Sequence, residues 1–462
     1  MARYDAFDRY AADHMPAWTD ELAAYCAIGS EQSDHEALRA AATWTADRLS
    51  RLGATVDVVA LDDETVPPLV VGEIGSGSAL NAVQHYDVQP GVPLELWTTG
   101  PYLPEVRNGR LYARGAADNK GELLARMWAV EAYLATIGDL PCRIRFLVEG
   151  EEESGSTHFG PLLDRRPGLR EADGALIEGG GIDLRGRPQV VSGVRGMVGM
   201  ELVCRTIAYD AHSSLATLLP SATIRLVRAL ATLWDDEGVP VVDGLEAGVR
   251  PPTPAQLEIL GRIPDDEIED LKHVFGVDRF VAGLSGQAAI RALTFHTTCN
   301  VQGLWSGYTG PGDKTITPAE ARARLDIRLV PDQDPAVVLQ AVRDHFSRRG
   351  FGDIEIVPFS FQYRAWWTPP DHPIVTAAVR VSEEVLGKPT IHDLSAPGTA
   401  PMHEVCAAGN VPTTSLGGAD DECRAHAPNE SFRLDYAEAA VRMTGRFFDA
   451  FAAIPRGSRS SG

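Results

Sequence analysis

The stretch "CRIRFLVEGEEESGS", residues 142–156, couples two textures that seldom meet. Its first half is an apolar run of strand length. Its second half turns at once into three adjacent carboxylates, Glu151, Glu152 and Glu153. Anions clustered against a core are costly unless they are paired or bound to cations. Similar apolar runs lie on either side: "ATVDVVAL" (54–61), "PLVVGEI" (68–74), "ALNAVQHYDV" (79–88) and "GALIEGG" (174–180). Between them the period is helical, from about Asp20 to Leu52 and from about Lys120 to Ile137. Strands spaced by helices predict an α/β domain with a mixed or parallel sheet covered on both faces.

The texture changes at "RGMVGMELVCRTIAYDAHSS" (195–214). A strand there leads to the helical "PSATIRLVRALATLW" (220–234), then to a polar stretch rich in Pro and Gly from about Asp235 to Pro264. A helix opening with "PDDEIEDLKHVF" follows, then "TCNVQGLWSG" and "ARARLDIRLVP" as strands. The helix "PAVVLQAVRDHFSR" and the strand "DIEIVPFS" complete a set of ferredoxin-like size. After "RAWWTPPDHP" (364–373) the α/β alternation resumes. The expected layout is an α/β domain made of residues 1–194 and 367–462, with residues 195–366 inserted as an α+β domain.

The 462 residues exceed what one core organises, which agrees with more than one domain. The net charge of −22 repels phosphate backbones and argues against nucleic acid as a partner. No apolar run approaches the ~20 residues that span a bilayer, so no membrane partner is expected. The first residues, "MARYDAFDRYAADHMPAWTDEL", are polar and acidic, unlike a signal peptide, and point to a cytoplasmic location. The six cysteines are scattered without a C-x-x-C pair, so they read as reduced thiols. "GSGSAL" (75–80) lacks the lysine and helix of a phosphate-binding loop. The tail "PRGSRSSG" reads as a disordered end or an expression remnant.

Ligands in open α/β sheets bind outside the carboxyl ends of the strands, and reactive residue types gather at these strand exits. His85 and Asp87 stand two apart at one exit, so their side chains leave the same face. Asp118 sits in the Gly-flanked "ARGAADNKG" before a helix. Glu151–Glu153 follow another strand, Glu178 ends "GALIE", and His426 lies in the loop "CRAHAPNES". Each has a plain reading alone: a core pair, an N-cap, acids at a helix start, a loop histidine. Together, imidazoles and carboxylates without thiolate suit zinc, manganese or cobalt. One or two divalent ions also offset the repulsion of the stacked glutamates.

With these residues assembled, the chain resembles the dinuclear zinc peptidases and deacylases that include carnosinase, aminoacylase, carboxypeptidase G, acetylornithine deacetylase and succinyl-diaminopimelate desuccinylase. The resemblance is carried in order by "HYDVQP", "YARGAADNKG", "EGEEESGS", "LIEGG", "DAHSS", "RLVP" and "HAPNE". The long stretch between "ALATLW" and "TCNVQGL" most resembles the carnosinase-like branch. It implies a catalytic domain with a mixed sheet flanked by helices and an inserted ferredoxin-like dimerisation, or lid, domain. It implies hydrolysis of the amide bond in a dipeptide or N-acyl amino acid, by a water held between two zinc ions and activated by a glutamate.

Carried across, His85 and Glu178 would hold one zinc, Glu153 and His426 the other, and Asp118 both, with a cis Asp118–Asn119 peptide. Asp87 would fix the tautomer of His85, and Glu152 would be the general base. His212 would reach the active site of a partner subunit and steady the oxyanion, which implies a homodimer formed through the inserted domain. Arg328 would meet a substrate carboxylate or the oxyanion. Asn300, Gly398 and Thr399 would line the pocket. Two positions depart from the carnosinase pattern: Ser395 stands where an arginine is expected, and Glu178 where aspartate is usual. The Ser395 departure keeps a second substrate class open, a non-peptide amide or carbamoyl compound. A third reading, a non-catalytic binding protein keeping the fold, predicts loss of the base or of the bridging ligand, and neither is lost.

Overall fold

A computed structural model describes residues 3–455. The tail beyond residue 455, read above as disordered or a remnant, lies outside the described residues. The chain forms two compact units. One holds the chain up to Gly193, Trp367–Ala396 and Pro401 onward; the other holds Val194–Trp366 and Pro397–Ala400.

The first unit is built on a six-stranded sheet in the order Thr55–Val59, Leu69–Ile74, Arg143–Glu149, Ala79–His85, Gly174–Ile177 and Thr413–Ser415. The first three strands pair antiparallel. The last four run parallel, so their carboxyl ends share one rim. His85 is the last residue of its strand and sits in register with Glu149. Every residue of Ala79–His85 is buried, as a strand covered on both faces requires.

Helix α2 (His35–Arg51) and helix α3 (Lys120–Thr136) pack against this sheet, helix α1 (Asp5–Cys26) packs on α3 and on the helix Leu434–Ala452, and the core they enclose includes Phe7, Trp18, Leu49, Trp128, Phe146 and Phe447. The region from Asp20 to Leu52, expected to be helical, holds the end of one helix and a second one, and the first begins fifteen residues earlier, at Asp5. Two contacts mark the break at residues 27–34. Gly29 lies so close to the Tyr102 ring that an added Cβ would sit 2.9 Å from it. Asp34 then caps α2 by accepting from the amides of Glu36 and Ala37.

Helix α3 begins at Lys120 behind Asn119, so Asp118 is not its N-cap. The helix lies against the loop that precedes it. A Cβ on Gly121 would meet the Ala116 carbonyl oxygen at 2.0 Å and the Phe432 ring at 2.7 Å. Neither neighbour is a flexible side-chain end. Gly121→Ala is therefore expected to destabilise the protein by about 3 kcal/mol, the upper range for overpacking. A thermal unfolding scan beside the wild type measures it, and an unchanged melting temperature would contradict the packing described.

The second unit carries a four-stranded antiparallel sheet in the order Asn300–Ser306, Glu320–Leu329, Gly196–Arg205 and Glu355–Tyr363. Helices Ala222–Leu230 and Pro335–Arg348 cover it. Chain order is strand, helix, strand, strand, helix, strand, the ferredoxin-like arrangement. Its core gathers Val198, Leu202, Leu226, Leu325, Val342 and Phe346. The stretch read as polar from Asp235 to Pro264 includes a short helix, Pro254–Leu260, closed by a capping box between Thr253 and Gln256. A further helix, Gly286–Phe295, follows.

Candidate metal centre

Strand ends and loops of the first unit bring six side chains to the rim where the parallel strands finish. His85 ends its strand, Glu178 follows Ile177 directly, and Glu152 and Glu153 stand in a single 3-10 turn, Glu152–Ser154, just after Arg143–Glu149. His426 arrives from a tight loop in which both His426 and Asn429 adopt positive φ. Asp118 comes from the turn before α3, and the Asp118–Asn119 peptide is cis.

These residues form two donor sets that share one carboxylate. His85 Nε2 lies 3.2 Å from Asp118 Oδ1 and 3.2 Å from Glu178 Oε2. His426 Nε2 lies 2.9 Å from Asp118 Oδ2 and 3.1 Å from Glu153 Oε2. Asp118 thus turns one oxygen to each imidazole. Each triad brings its ligand atoms within 4.8 Å of one another.

The three glutamates point three ways. Glu151 faces away from the centre: its carboxylate accepts from the His158 amide at 3.0 Å and contacts His158 Nδ1 at 2.9 Å. Glu153 faces His426, and Gln89 Nε2 donates to it at 3.0 Å. The Glu152 carboxylate is half-buried and hydrogen-bonded to no described residue. Asp87 makes the turn possible. It is fully buried, and its two oxygens accept from the amides of Glu152 (3.2 Å) and Glu153 (3.0 Å). Its Oδ1 also lies 3.3 Å from His85 Nδ1. Backbone amides aimed at a buried carboxylate are charge-assisted bonds, so Asp87 anchors the glutamate turn as well as the histidine.

The local field is strongly negative. Burial works against the charged form of His85, but the Glu178 charge and bonds to Asp118 and Asp87 outweigh it, and its pKa rises well above the usual imidazole value. Bonds to Asp118 and then Glu153 push His426 up to about 10. Burial, followed by the Glu178 charge, pushes Glu152 well above the ordinary carboxylate range. Such a rim attracts cations. Glu153 Oε1 is buried and has no hydrogen-bond partner, as a carboxylate oxygen reserved for a cation requires. The donor set of imidazole and carboxylate matches zinc, manganese or cobalt. The residues present fit a pair of divalent ions.

Several supporting residues carried no signal in the sequence reading. Gln32, in the break between α1 and α2, donates to Asp87 Oδ2 at 2.9 Å and to the Gly150 carbonyl at 2.6 Å. Asn119 Nδ2 donates to Glu178 Oε2 at 2.7 Å. From α3, Arg126 donates to the carbonyls of Ile177 and Leu416, and Glu122 accepts from the amides of Gly418 and Ala419. The strand exit that carries Glu178 is tied down in this way.

The remaining expected site residues lie in the second unit. Arg328 Nη1 donates to Thr399 Oγ1 at 2.7 Å, and its Nε is 3.8 Å from Asp326. Asn300 donates to the same Asp326 at 2.9 Å. The Gly398 carbonyl accepts from the Arg195 amide. His212 ends the short strand Ala211–His212, is exposed, and accepts at Nδ1 from the Ser214 amide.

Comparison with known proteins agrees with this architecture. The profile of the peptidase family M20/M25/M40 matches residues 83–450. The chain is 29% identical over 426 residues to the human Beta-Ala-His dipeptidase, covering 87% of this chain and 83% of that one. It is 26% identical to the Cys-Gly metallodipeptidase dug1 of Schizosaccharomyces pombe, over 85% and 84% of the two chains. The crystal structure of an M20 family metallo-carboxypeptidase from Sulfolobus solfataricus superposes with a TM-score of 0.88 at 32% identity, covering 95% of this chain and 99% of that one. From the shared-carboxylate rim and these matches together, the chain belongs to the peptidase family M20/M25/M40.

Proposed function

We propose that this protein is a dipeptidase that uses two divalent cations, zinc by preference, to hydrolyse the amide bond of small dipeptides. The observation that carries the reading is Asp118, whose two oxygens face two separate sets of imidazole and carboxylate donors. His85, Glu178 and Asp118 would hold one ion; His426, Glu153 and Asp118 would hold the other. When bound, such a pair polarises the scissile carbonyl and makes water acidic. Glu152, whose carboxylate is hydrogen-bonded to no described residue, takes the proton of the attacking water and returns it to the leaving nitrogen. Asp87 holds His85 and the Glu152–Glu153 turn in place. Arg328, hydrogen-bonded to Thr399, forms with Asn300 and Gly398 the set of second-unit residues proposed to contact substrate, with the guanidinium suited to a carboxylate. The dipeptidase names of the curated relatives support the substrate class.

A homodimer through the second unit completes the reading, with His212 serving the partner's oxyanion. The edge strand Asn300–Ser306 has a neighbour on one side only and exposes Leu304 and Trp305. Helix Ala222–Leu230, joined to that strand by a Thr223–Ser306 hydrogen bond, exposes Ile224 and Val227. An unpaired edge beside exposed apolar residues is suited to association. The six free thiols, five of them buried, support a reducing, cytoplasmic location.

The test is a hydrolysis panel of dipeptides, N-acyl amino acids and N-carbamoyl amino acids, run with metal-stripped and zinc- or manganese-reloaded protein. Dipeptide cleavage lost on stripping and restored by zinc is expected. Undiminished cleavage after stripping would rule out the mechanism. Light scattering at twice the chain mass is expected for the dimer, and a monomer leaves His212 without its task.

A further inference from the structure

Glu430 closes the "HAPNE" motif, yet it is fully buried and no role was assigned to it above. Its carboxylate gathers four donors from one loop. Oε2 accepts from Arg114 Nη1 at 2.7 Å and from the Gly115 amide at 3.1 Å. Oε1 accepts from the amides of Ala117 and Asp118, both at 3.0 Å. The Glu430 carbonyl accepts from the Ala113 amide as well. Arg114 is itself buried and reaches the Pro90 carbonyl at 3.2 Å, beyond the His85 strand. Next to Glu430, Asn429 holds the loop before it, donating to the Leu96 carbonyl and accepting from the Thr98 amide.

We infer that Glu430 is a positioning residue that fixes the backbone of Asp118, and so the spacing of the two cation sites, independently of the cations themselves. The inference rests on the assignment of Asp118 as the shared ligand proposed above. Every contact in the clamp is made by a carboxylate, a guanidinium and backbone amides, none of which is a donor atom of either triad. Glu430 lies four residues from His426, so one short segment delivers one imidazole and secures the carboxylate that imidazole faces. A glutamine could not do this. Four donors need two acceptor oxygens, and an amide offers one. With that oxygen kept by Arg114 and Gly115, the amide nitrogen would face the Ala117 and Asp118 N–H groups, donor against donor.

Two measurements on the full-length protein test the inference. In Glu430→Gln, zinc affinity by chelator competition is expected to fall about 10–100-fold, the usual effect of losing a group that orients a ligand. At saturating zinc kcat falls while KM holds, and the visible spectrum of the cobalt-substituted protein shifts. A lower melting temperature with unchanged zinc affinity and cobalt spectrum would mean that Glu430 is only structural and would overturn the inference. The second measurement is hydrogen exchange in metal-stripped wild type, which decides alone if the variant does not fold. Amides of Ala117 and Asp118 are expected to exchange slowly before any metal is added; rapid exchange would show that the cations order the loop. Wild-type protein that takes up no zinc would defeat the assignment of Asp118, a result distinct from either.

Discussion

Glu152→Gln is expected to leave the proposed cation sites filled and to lower kcat by about 10²–10⁴-fold, the range for loss of a positioned acid–base group. Glutamine has the shape of glutamate, and the Glu152 carboxylate makes no hydrogen bond that the change would break. The turn itself is held through backbone amides on Asp87, which are unaffected. Neither triad includes Glu152. What is removed is the capacity to accept a proton, so the loss falls on turnover rather than on KM. The neighbours are internal controls. Glu151→Gln alters a contact with His158 and leaves turnover close to wild type. Glu153→Gln removes a donor beside His426 and reduces metal content. Metal analysis alongside steady-state kinetics separates the three. Turnover of Glu152→Gln within tenfold of wild type would place the base elsewhere.

That three adjacent glutamates behave so differently explains what the sequence could and could not disclose. Their position just after a buried strand was legible, because apolar periodicity marks the strand and the parallel rim marks the ligand site. His85, Asp118, Glu178 and His426 were legible for the same reason, each standing at a strand exit or in a Gly- or Pro-flanked loop. Which way each glutamate points depends on Asp87, His158 and Gln89, whose contacts exist only once the chain is folded. Gln32 lies 55 residues from Asp87 and Glu430 lies 312 from Asp118. No period or spacing connects such pairs. The helical pattern from Asp20 to Leu52 did not reveal the break between α1 and α2 for a related reason, since Gly29 packs against Tyr102, a residue far along the chain. The helix Pro254–Leu260 was different. Its capping box, Thr253 to Gln256, stands in the sequence, but the surrounding Pro and Gly masked it.

Asp118→Asn is expected to cost more than any other single change at the rim: metal content falls from two ions to at most one, and kcat/KM falls by about 10⁴-fold, ~5.5 kcal/mol. Asparagine matches aspartate in size and keeps the backbone amide that Glu430 holds. The difference is confined to the two side-chain atoms that face the imidazoles. In the native residue Oδ1 lies 3.2 Å from His85 Nε2 and Oδ2 lies 2.9 Å from His426 Nε2. An asparagine carries one acceptor and one NH₂ donor there. Whichever way the amide turns, one triad loses an anionic oxygen and gains a group that cannot ligate. The surviving triad also loses charge, because the neutral amide oxygen replaces a carboxylate. Each cation contributes several kcal/mol of charge stabilisation during hydrolysis, so removing one and weakening the other compounds the loss. Glu430→Gln perturbs the same carboxylate through its backbone and is expected to do less harm, since both oxygens of Asp118 remain. Retention of two zinc ions by Asp118→Asn, with kcat/KM within tenfold of wild type, would mean that the two triads do not depend on a shared carboxylate.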